Sequence, residues 1–167
     1  ILISGMVGVL VVLLSVSWQP GTSGFVFHPW HLAWAVGCLL SLANGVVLRA
    51  RFSAAKDPSD ALALSTVRWV TWNAMLIGCM WGATGWLMIP SSSFQQDAVV
   101  LVAICMVLTG GAGSQAVYGP LVRRFAITFT TVFAVGLMSH GDLLYSMLGL
   151  CYLAYCVATL HYSSNQE

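Results

Sequence analysis

The sequence predicts an all-α protein, a polytopic bundle of six transmembrane helices with both chain ends on the cytoplasmic side. The first observation is composition: of 167 residues, 59% are hydrophobic and only 7% are charged. A soluble domain carries about 25% charged residues, because its surface must be solvated. The second observation is length. Six apolar runs separated by short polar segments fill the chain, and each span needs about 20 residues.

The third observation is the placement of charge. All 6 basic residues fall in two of the gaps between apolar runs: Arg49, Arg51, Lys56 and Arg68 around one gap, Arg123 and Arg124 in the other. Short loops rich in Lys and Arg stay on the cytoplasmic side of a membrane. This asymmetry predicts the N-in/C-in topology and a multi-pass protein of the bacterial inner membrane, with the lipid bilayer as its first partner. No basic patch suggests nucleic acid.

The first three spans are predicted at residues 1–18, 31–48 and 69–89. The turn formers at 19–24 end the first span, and residues 25–30 continue the outer loop. Arg49 ends the second span and opens a polar loop at 49–67, whose Pro58 marks the start of a short helix. Pro90 stops the third span.

The last three spans are predicted at residues 98–118, 125–139 and 143–160. Gly119 and Pro120 close the fourth span, and Gly141 lies in a tight outer turn before the sixth. We therefore expect one membrane domain at residues 1–162, with residues 163–167 starting a cytoplasmic signalling helix or linker. Tryptophan, which prefers the interface, supports these bounds: Trp18, Trp30, Trp34 and Trp86 fall near the outer face, and Trp69 and Trp72 near the inner one.

Small residues at four-residue spacing predict how the helices associate, because apolar side chains gain little by leaving lipid for one another. The second span offers a face formed by Gly37, Ser41 and Gly45, and the third a face formed by Ala74, Gly78 and Gly82. The five cysteines all lie inside apolar runs and form no C-x-x-C pair. We interpret them as small packing residues.

Few polar residues lie within the spans, and no Asp, Glu, Lys or Arg lies at a span centre. Ion-coupled carriers and channels need an intramembrane charge or a polar lining, so a small transporter is a secondary alternative. Asn73 and Gln115 fall in the inner half of their spans, where mutual hydrogen bonding is the simplest expectation.

Histidines suggest a second alternative, a membrane subunit that binds a metal or haem. His28 and His31 flank Pro29 and Trp30, and His140 and Asp142 map to the same outer face. Imidazole is the commonest metal ligand, and histidines at the ends of two spans suit one outer haem. Amphipathic side chains are also tolerated at interfaces without any ligand, and no cofactor is the simpler expectation.

The run from Gly78 to Pro90 has the form G-x-x-W-G-x-x-x-x-x-x-x-P, with Trp81 and Gly82 at its centre. It resembles the MASE-like membrane sensor domains that precede diguanylate cyclase, phosphodiesterase or histidine kinase domains in bacteria. The similarity covers roughly residues 68–167, through the small-residue segment 110–120 and the Gly141-Asp142 turn. The fifth span departs from the family in lacking a proline.

The resemblance implies a sensory input domain of a two-component or cyclic-di-GMP system, with no catalysis of its own. A small or lipophilic signal would bias two packings of the bundle, and the sixth helix would pass the change inward to an effector beyond Glu167, in a homodimer. The third and fourth spans would form the pocket. Trp81 would form its aromatic wall, and Asn73 and Gln115 would be its polar groups. Room for the ligand would come from the glycine segment with Gly110, Gly111 and Gly113.

Overall fold

The computed structural model describes residues 2–18, 24–54, 60–89, 93–114 and 119–164. In these ranges the regular secondary structure is helical, apart from a single bridge between Trp18 and Phe25. The helices are α1 (Leu2–Ser17), α2 (Pro29–Ala54), α3 (Asp60–Gly82), α4 (Thr84–Leu87), α5 (Phe94–Ser114), α6 (Gly119–Met138) and α7 (Leu143–Ser164).

The all-α prediction is confirmed, and each of the six predicted segments contains one long helix. Several boundaries differ from the prediction. The second span was predicted to end at Arg49, but α2 continues to Ala54. Residues 60–67 of the predicted loop belong to α3, so Arg68 lies inside a helix and not before one. Gly119 and Pro120 open α6 and do not close the preceding helix, because proline lacks only an N–H that the first turn leaves unpaired anyway. Pro29 opens α2 for the same reason.

The short helix α4 continues α3 after one irregular residue. Ala83 still donates its backbone N–H to Cys79 O at 2.9 Å, and Leu87 donates to Ala83 O at 3.0 Å. The Thr84 hydroxyl donates to Trp81 O at 2.6 Å. The predicted third span, 69–89, thus corresponds to the later part of α3 together with α4.

The helices alternate in direction, and α3 and α6 form a parallel pair at the centre. Gly78 faces Phe125 and Phe129, whereas Gly85 lies farther along at Phe133 and Leu137. α2 runs antiparallel to α3, and α7 antiparallel to α6. α1 packs against α2 on one side and against α5 on the other.

Glycines let α3, α4 and α6 approach to backbone contact. A Cβ added at Gly82 would lie 2.8 Å from Phe129 O, and one added at Gly85 would lie 2.7 Å from Phe133 O. From the other side, a Cβ at Gly136 would lie 2.9 Å from the carbonyl carbon of Gly85. Close backbone approach at small residues is typical of helix pairs that lack a hydrophobic driving force. The small face predicted on the third span is therefore confirmed, with α6 as its partner.

The small face predicted on the second span is also confirmed, and its partner is α3. A Cβ at Gly37 would collide with the terminal methyl group of Met80, and one at Gly45 would lie 3.3 Å from the Asn73 side-chain nitrogen. Ser41 is buried, and its hydroxyl donates to Gly37 O at 2.9 Å. This face holds α2 against α3 along about two helical turns.

The core of the bundle is aromatic. The Trp34 and Trp81 rings meet edge to face with centroids 5.3 Å apart, and Phe129 and Phe133 stack along α6 at 5.7 Å. The Trp34 indole N–H donates to Met80 O at 2.6 Å. Aromatic pairs in such geometries add to the stability gained from packing alone.

Among the described residues, one helix, Pro29–Ala54, has both the length and the apolar composition needed to cross a membrane. Three further apolar stretches are shorter: Gly5–Ser17, Phe94–Leu108 and Leu143–Ala158. The outer surface is strongly apolar on every long helix. Within the described residues, exposed large apolar side chains outnumber the buried hydrophobic ones.

Candidate functional site: a groove between α5 and α7

The long helices form a ring in which successive neighbours are α1, α2, α3, α6 and α7, with α5 packed on the other side of α1. This ring is least tightly closed between α5 and α7. α5 packs closely against α1 but only loosely against α6, and the pair α5 and α7 is not among the closely packed ones. An apolar groove of about 340 Å³ lies between them. Its lining residues are Cys105 and Leu108 of α5 and Cys151, Tyr152 and Tyr155 of α7.

The groove continues toward the other end of the two helices as a second hollow of about 410 Å³. Cys105 and Tyr152 line both parts, so they stand at the junction. Sites for small molecules are mostly apolar concavities of about 300–1,000 Å³ with a few polar groups that orient the ligand. The remaining lining residues of the second hollow are Leu101, Val102, Met106 and Leu148.

Tyr152 is the polar centre of the groove. Its ring packs edge to face against Phe133 of α6, with centroids 4.9 Å apart, which fixes the ring at the floor. Its hydroxyl lies 3.1 Å from the Cys105 sulfur on the facing helix. Sulfur is a weak hydrogen-bond partner, so this contact joins α5 and α7 with little energy.

A stronger contact closes the groove at its outer end. The Tyr145 hydroxyl of α7 donates to an Asp97 carboxylate oxygen of α5 at 2.5 Å, and Asp97 is only 2% exposed. Asp97 lies in the first turn of α5, where the helix dipole favours negative charge. The neighbouring Gln96 side-chain amide donates to Trp18 O, which ties the same turn to α1. α5 and α7 are therefore held firmly at one end and weakly at their middle.

The pocket predicted between the third and fourth spans has a different character. Trp81 is 2% exposed and belongs to the core with Trp34. The Asn73 side chain accepts from Asn44 Nδ2 at 2.9 Å and donates to Ser41 O at 3.2 Å. Both side chains thus serve helix packing, and neither lines the groove.

The other predicted pocket residues lie on or beyond the end of α5. Gly110, Gly111 and Gly113 are helical and follow the groove residue Leu108 in the chain. Gln115 lies outside the described residues, so its predicted hydrogen bond to Asn73 stays a prediction. The sequence did not predict Cys105 and Tyr152 as residues of a candidate site. Their signal was faint, because cysteine and tyrosine in apolar helices are ordinary packing residues.

The outer histidines contact the end of α4. His140 Nε2 donates to Gly85 O at 2.9 Å, and His31 Nε2 donates to Leu87 O at 3.3 Å. The last carbonyls of a helix lack partners within it, so both rings act as caps. The rings of His28 and His31 lie 5.4 Å apart. The Asp142 carboxylate accepts from the backbone N–H of Leu144 at 2.8 Å, at the start of α7.

The structure does not join His28, His31, His140 and Asp142 into one ligand set. In the part of the chain that the structure describes, no three His, Cys, Asp or Glu side chains are grouped so as to hold a metal ion. Three of the four already make hydrogen bonds of their own: His31 and His140 each donate through Nε2 to a backbone carbonyl, and the Asp142 carboxylate accepts from the Leu144 N–H. The metal and haem alternatives therefore gain no geometric support from these residues.

Comparison with known proteins adds no family to this geometry. The chain matches no protein-family model, no curated protein and no solved structure. The resemblance to MASE-like sensor domains thus stays a prediction from the motif of Gly78, Trp81, Gly82 and Pro90. The class that the structure itself defines is an all-α bundle with an apolar lateral groove.

Proposed function

We propose that this chain is a membrane-embedded sensory input domain that takes a lipophilic small molecule into the groove between α5 and α7. The observation that carries the proposal is the groove itself: an apolar concavity where α5 and α7 are not closely packed, lined on one side by α7. α7 is then both the wall of the site and the helix that leads out of it.

The surface supports a bilayer as the surrounding solvent. Leu40 is 65% exposed in the middle of α2, and Met106 is 68% exposed in the middle of α5. Patches of this extent are rare on soluble monomers, whereas lipid removes their cost. In addition, Arg49, Arg51 and Arg68 lie at one end of the antiparallel pair α2 and α3, the end proposed to face the cytoplasm.

The mechanism follows from the two contacts that join α5 and α7. A ligand in the groove separates Cys105 from Tyr152, while the pair formed by Asp97 and Tyr145 holds the outer end. The inner end of α7 then swings relative to α5. A ligand shifts such an equilibrium only by the difference in its affinity for the two packings, so binding must be tighter in the opened state.

The test measures this swing directly. A spin label at His161, exposed near the inner end of α7, is paired with one at Met6, exposed near the start of α1, the helix that packs closely against α5. The background replaces Cys105 by serine and the other four cysteines by alanine. Pulsed electron paramagnetic resonance in phospholipid nanodiscs gives the distance with and without 2-tridecanone as the probe.

A matched pair at Trp30 and Leu143, exposed at the outer ends of α2 and α7, serves as the control. We expect the inner distance to change and the outer distance to stay constant. If the probe occupies the groove, judged by protection of Cys151 in the wild-type protein, and the inner distance does not move, the sensory proposal is wrong.

A further inference from the structure

The groove has an almost entirely apolar wall with hydrogen-bonding groups at its centre. Leu101, Leu108 and Leu148 contribute only hydrocarbon, whereas the Tyr152 hydroxyl and the Cys105 thiol meet across the middle. Among the described residues that line the groove, none carries a charged side chain. Burying an ionised group in such surroundings is costly, so the ligand that fits is neutral.

The Tyr152 hydroxyl is a good donor with a weak partner. A phenol O–H is a full-strength donor, whereas the Cys105 sulfur, which lies 3.1 Å away and can be either donor or acceptor, is weak in both roles. A carbonyl oxygen placed between α5 and α7 would offer the same O–H a better acceptor. When a carbonyl oxygen of the ligand replaces the Cys105 sulfur beside Tyr152, the hydroxyl gains a stronger hydrogen bond. The same ligand separates α5 from α7.

We infer that the groove selects a neutral lipophilic carbonyl compound, such as a long-chain ketone, a quinone or an ester, and that Tyr152 donates the hydrogen bond that recognises it. This inference rests on the proposed function, since it names the ligand class of the same groove. Phe133 holds the Tyr152 ring from the floor at 4.9 Å, so the hydroxyl is presented with little freedom left to lose.

The chain carries its own reporters for a test. Cys105 and Cys151 line the groove, whereas Cys79 is exposed on α3, away from it. The wild-type protein in nanodiscs is photolabelled with a lipophilic diazirine, whose carbene inserts into a neutral thiol and needs no thiolate, and each cysteine is followed by mass spectrometry. The competing probes are 2-tridecanone and tridecane, which share a chain length and differ in one carbonyl oxygen.

We expect the ketone to protect Cys151 at about fivefold lower concentration than the alkane, the ratio that corresponds to one ordinary hydrogen bond. Labelling of Cys79 should not change. In Tyr152→Phe, which keeps the ring against Phe133, the ratio should fall to about one. Ser146→Ala removes a hydroxyl from the same helix outside the groove and should keep the ratio.

An infrared spectrum gives a second reading that a purely structural role of Tyr152 would not move. With ¹³C at its carbonyl, bound 2-tridecanone should absorb at lower frequency in the wild-type protein than in Tyr152→Phe. Equal protection by ketone and alkane overturns the carbonyl inference and leaves the lipophilic groove intact. Protection by neither probe overturns both. Loss of the ratio in Ser146→Ala as well would mean that the ratio does not report the Tyr152 hydroxyl, and would overturn the role of Tyr152.

Discussion

The hydroxyl of Tyr145 donates to the buried carboxylate of Asp97 across 2.5 Å, and this contact joins the first turns of α7 and α5. The two helices run in the same direction and separate along a groove below it. A hydrogen bond to a charged acceptor is stronger than one between neutral groups. The pair therefore acts as the fixed end of an interface whose middle is held only by a thiol and a phenol.

Removal of this fixed end should be costly. Tyr145→Phe keeps the ring but leaves the Asp97 carboxylate buried with one donor fewer, and hydrogen bonds to charged groups contribute about 1.5–3 kcal/mol. We expect destabilisation by about 2 kcal/mol. The measurement is the thermal unfolding transition in mild detergent, followed by circular dichroism.

The control for Tyr145 is Leu143→Ala in the same turn of α7, which should unfold close to the wild type because Leu143 is 77% exposed. The double variant Tyr145→Phe, Asp97→Asn completes a cycle. Because an amide is less costly to leave unpaired than a carboxylate, the double variant should lose less than the sum of the two single changes. Additive losses would mean that the two side chains are not coupled.

A methyl group added at Gly136, where α6 contacts α4, should destabilise the protein. In Gly136→Ala the new Cβ would lie 2.9 Å from Gly85 C and 3.0 Å from Trp86 N. Both atoms belong to the backbone, so the helices must move apart. Overpacking of this kind costs about 1–3 kcal/mol, and we expect a value in the upper half of that range by the same unfolding measurement.

Gly24→Ala is the matched control, because a Cβ at Gly24 meets nothing within 4 Å. It should leave the transition unchanged. Equal behaviour of the two variants would show that α4 and α6 do not approach as closely as described.

The sequence predicted the framework of this fold well, for a physical reason. Helices without a hydrophobic driving force need small residues where they meet, and the spacing of Gly37, Ser41 and Gly45 and of Gly78 and Gly82 marks those faces directly. The sequence could not say which helix each face would meet. The close approach of α4 to α6 depends on the matching glycines at 85 and 136, and no local pattern links positions so far apart.

The candidate site was less predictable. Trp81 and Asn73 are conspicuous because large aromatic and polar residues are rare inside apolar helices, but the structure uses them for packing. Cys105 and Tyr152 attract no notice in the sequence. They become a site only because α5 and α7 diverge, and that divergence is a property of the assembled ring.

The hydrogen bond between Asn44 and Asn73 should stabilise the pairing of α2 with α3 without affecting ligand binding. Such contacts in membrane proteins contribute about 0.6 kcal/mol on average and at most about 1.7 kcal/mol. Asn73 also donates to Ser41 O, so we expect Asn73→Ala to lose more than Asn44→Ala. Unfolding in detergent measures the loss. Protection of Cys151 by 2-tridecanone should be the same in both variants, and reduced protection in Asn73→Ala would restore Asn73 to the ligand site.

Chemical labelling of the two ends of α2 from either side of a membrane tests the proposed orientation of the bundle. His28 precedes Pro29, the first residue of this helix, and Arg51 lies in its last turn. Because arginine-rich ends stay cytoplasmic, His28→Cys should react with a membrane-impermeant maleimide in right-side-out vesicles and Arg51→Cys in inverted ones, each on a cysteine-free background. Leu40→Cys, in the middle of α2, should react in neither, since the lipid excludes the reagent. Reaction of both end positions from one side would rule out a spanning α2, and ready reaction at position 40 would place the exposed apolar surface in water.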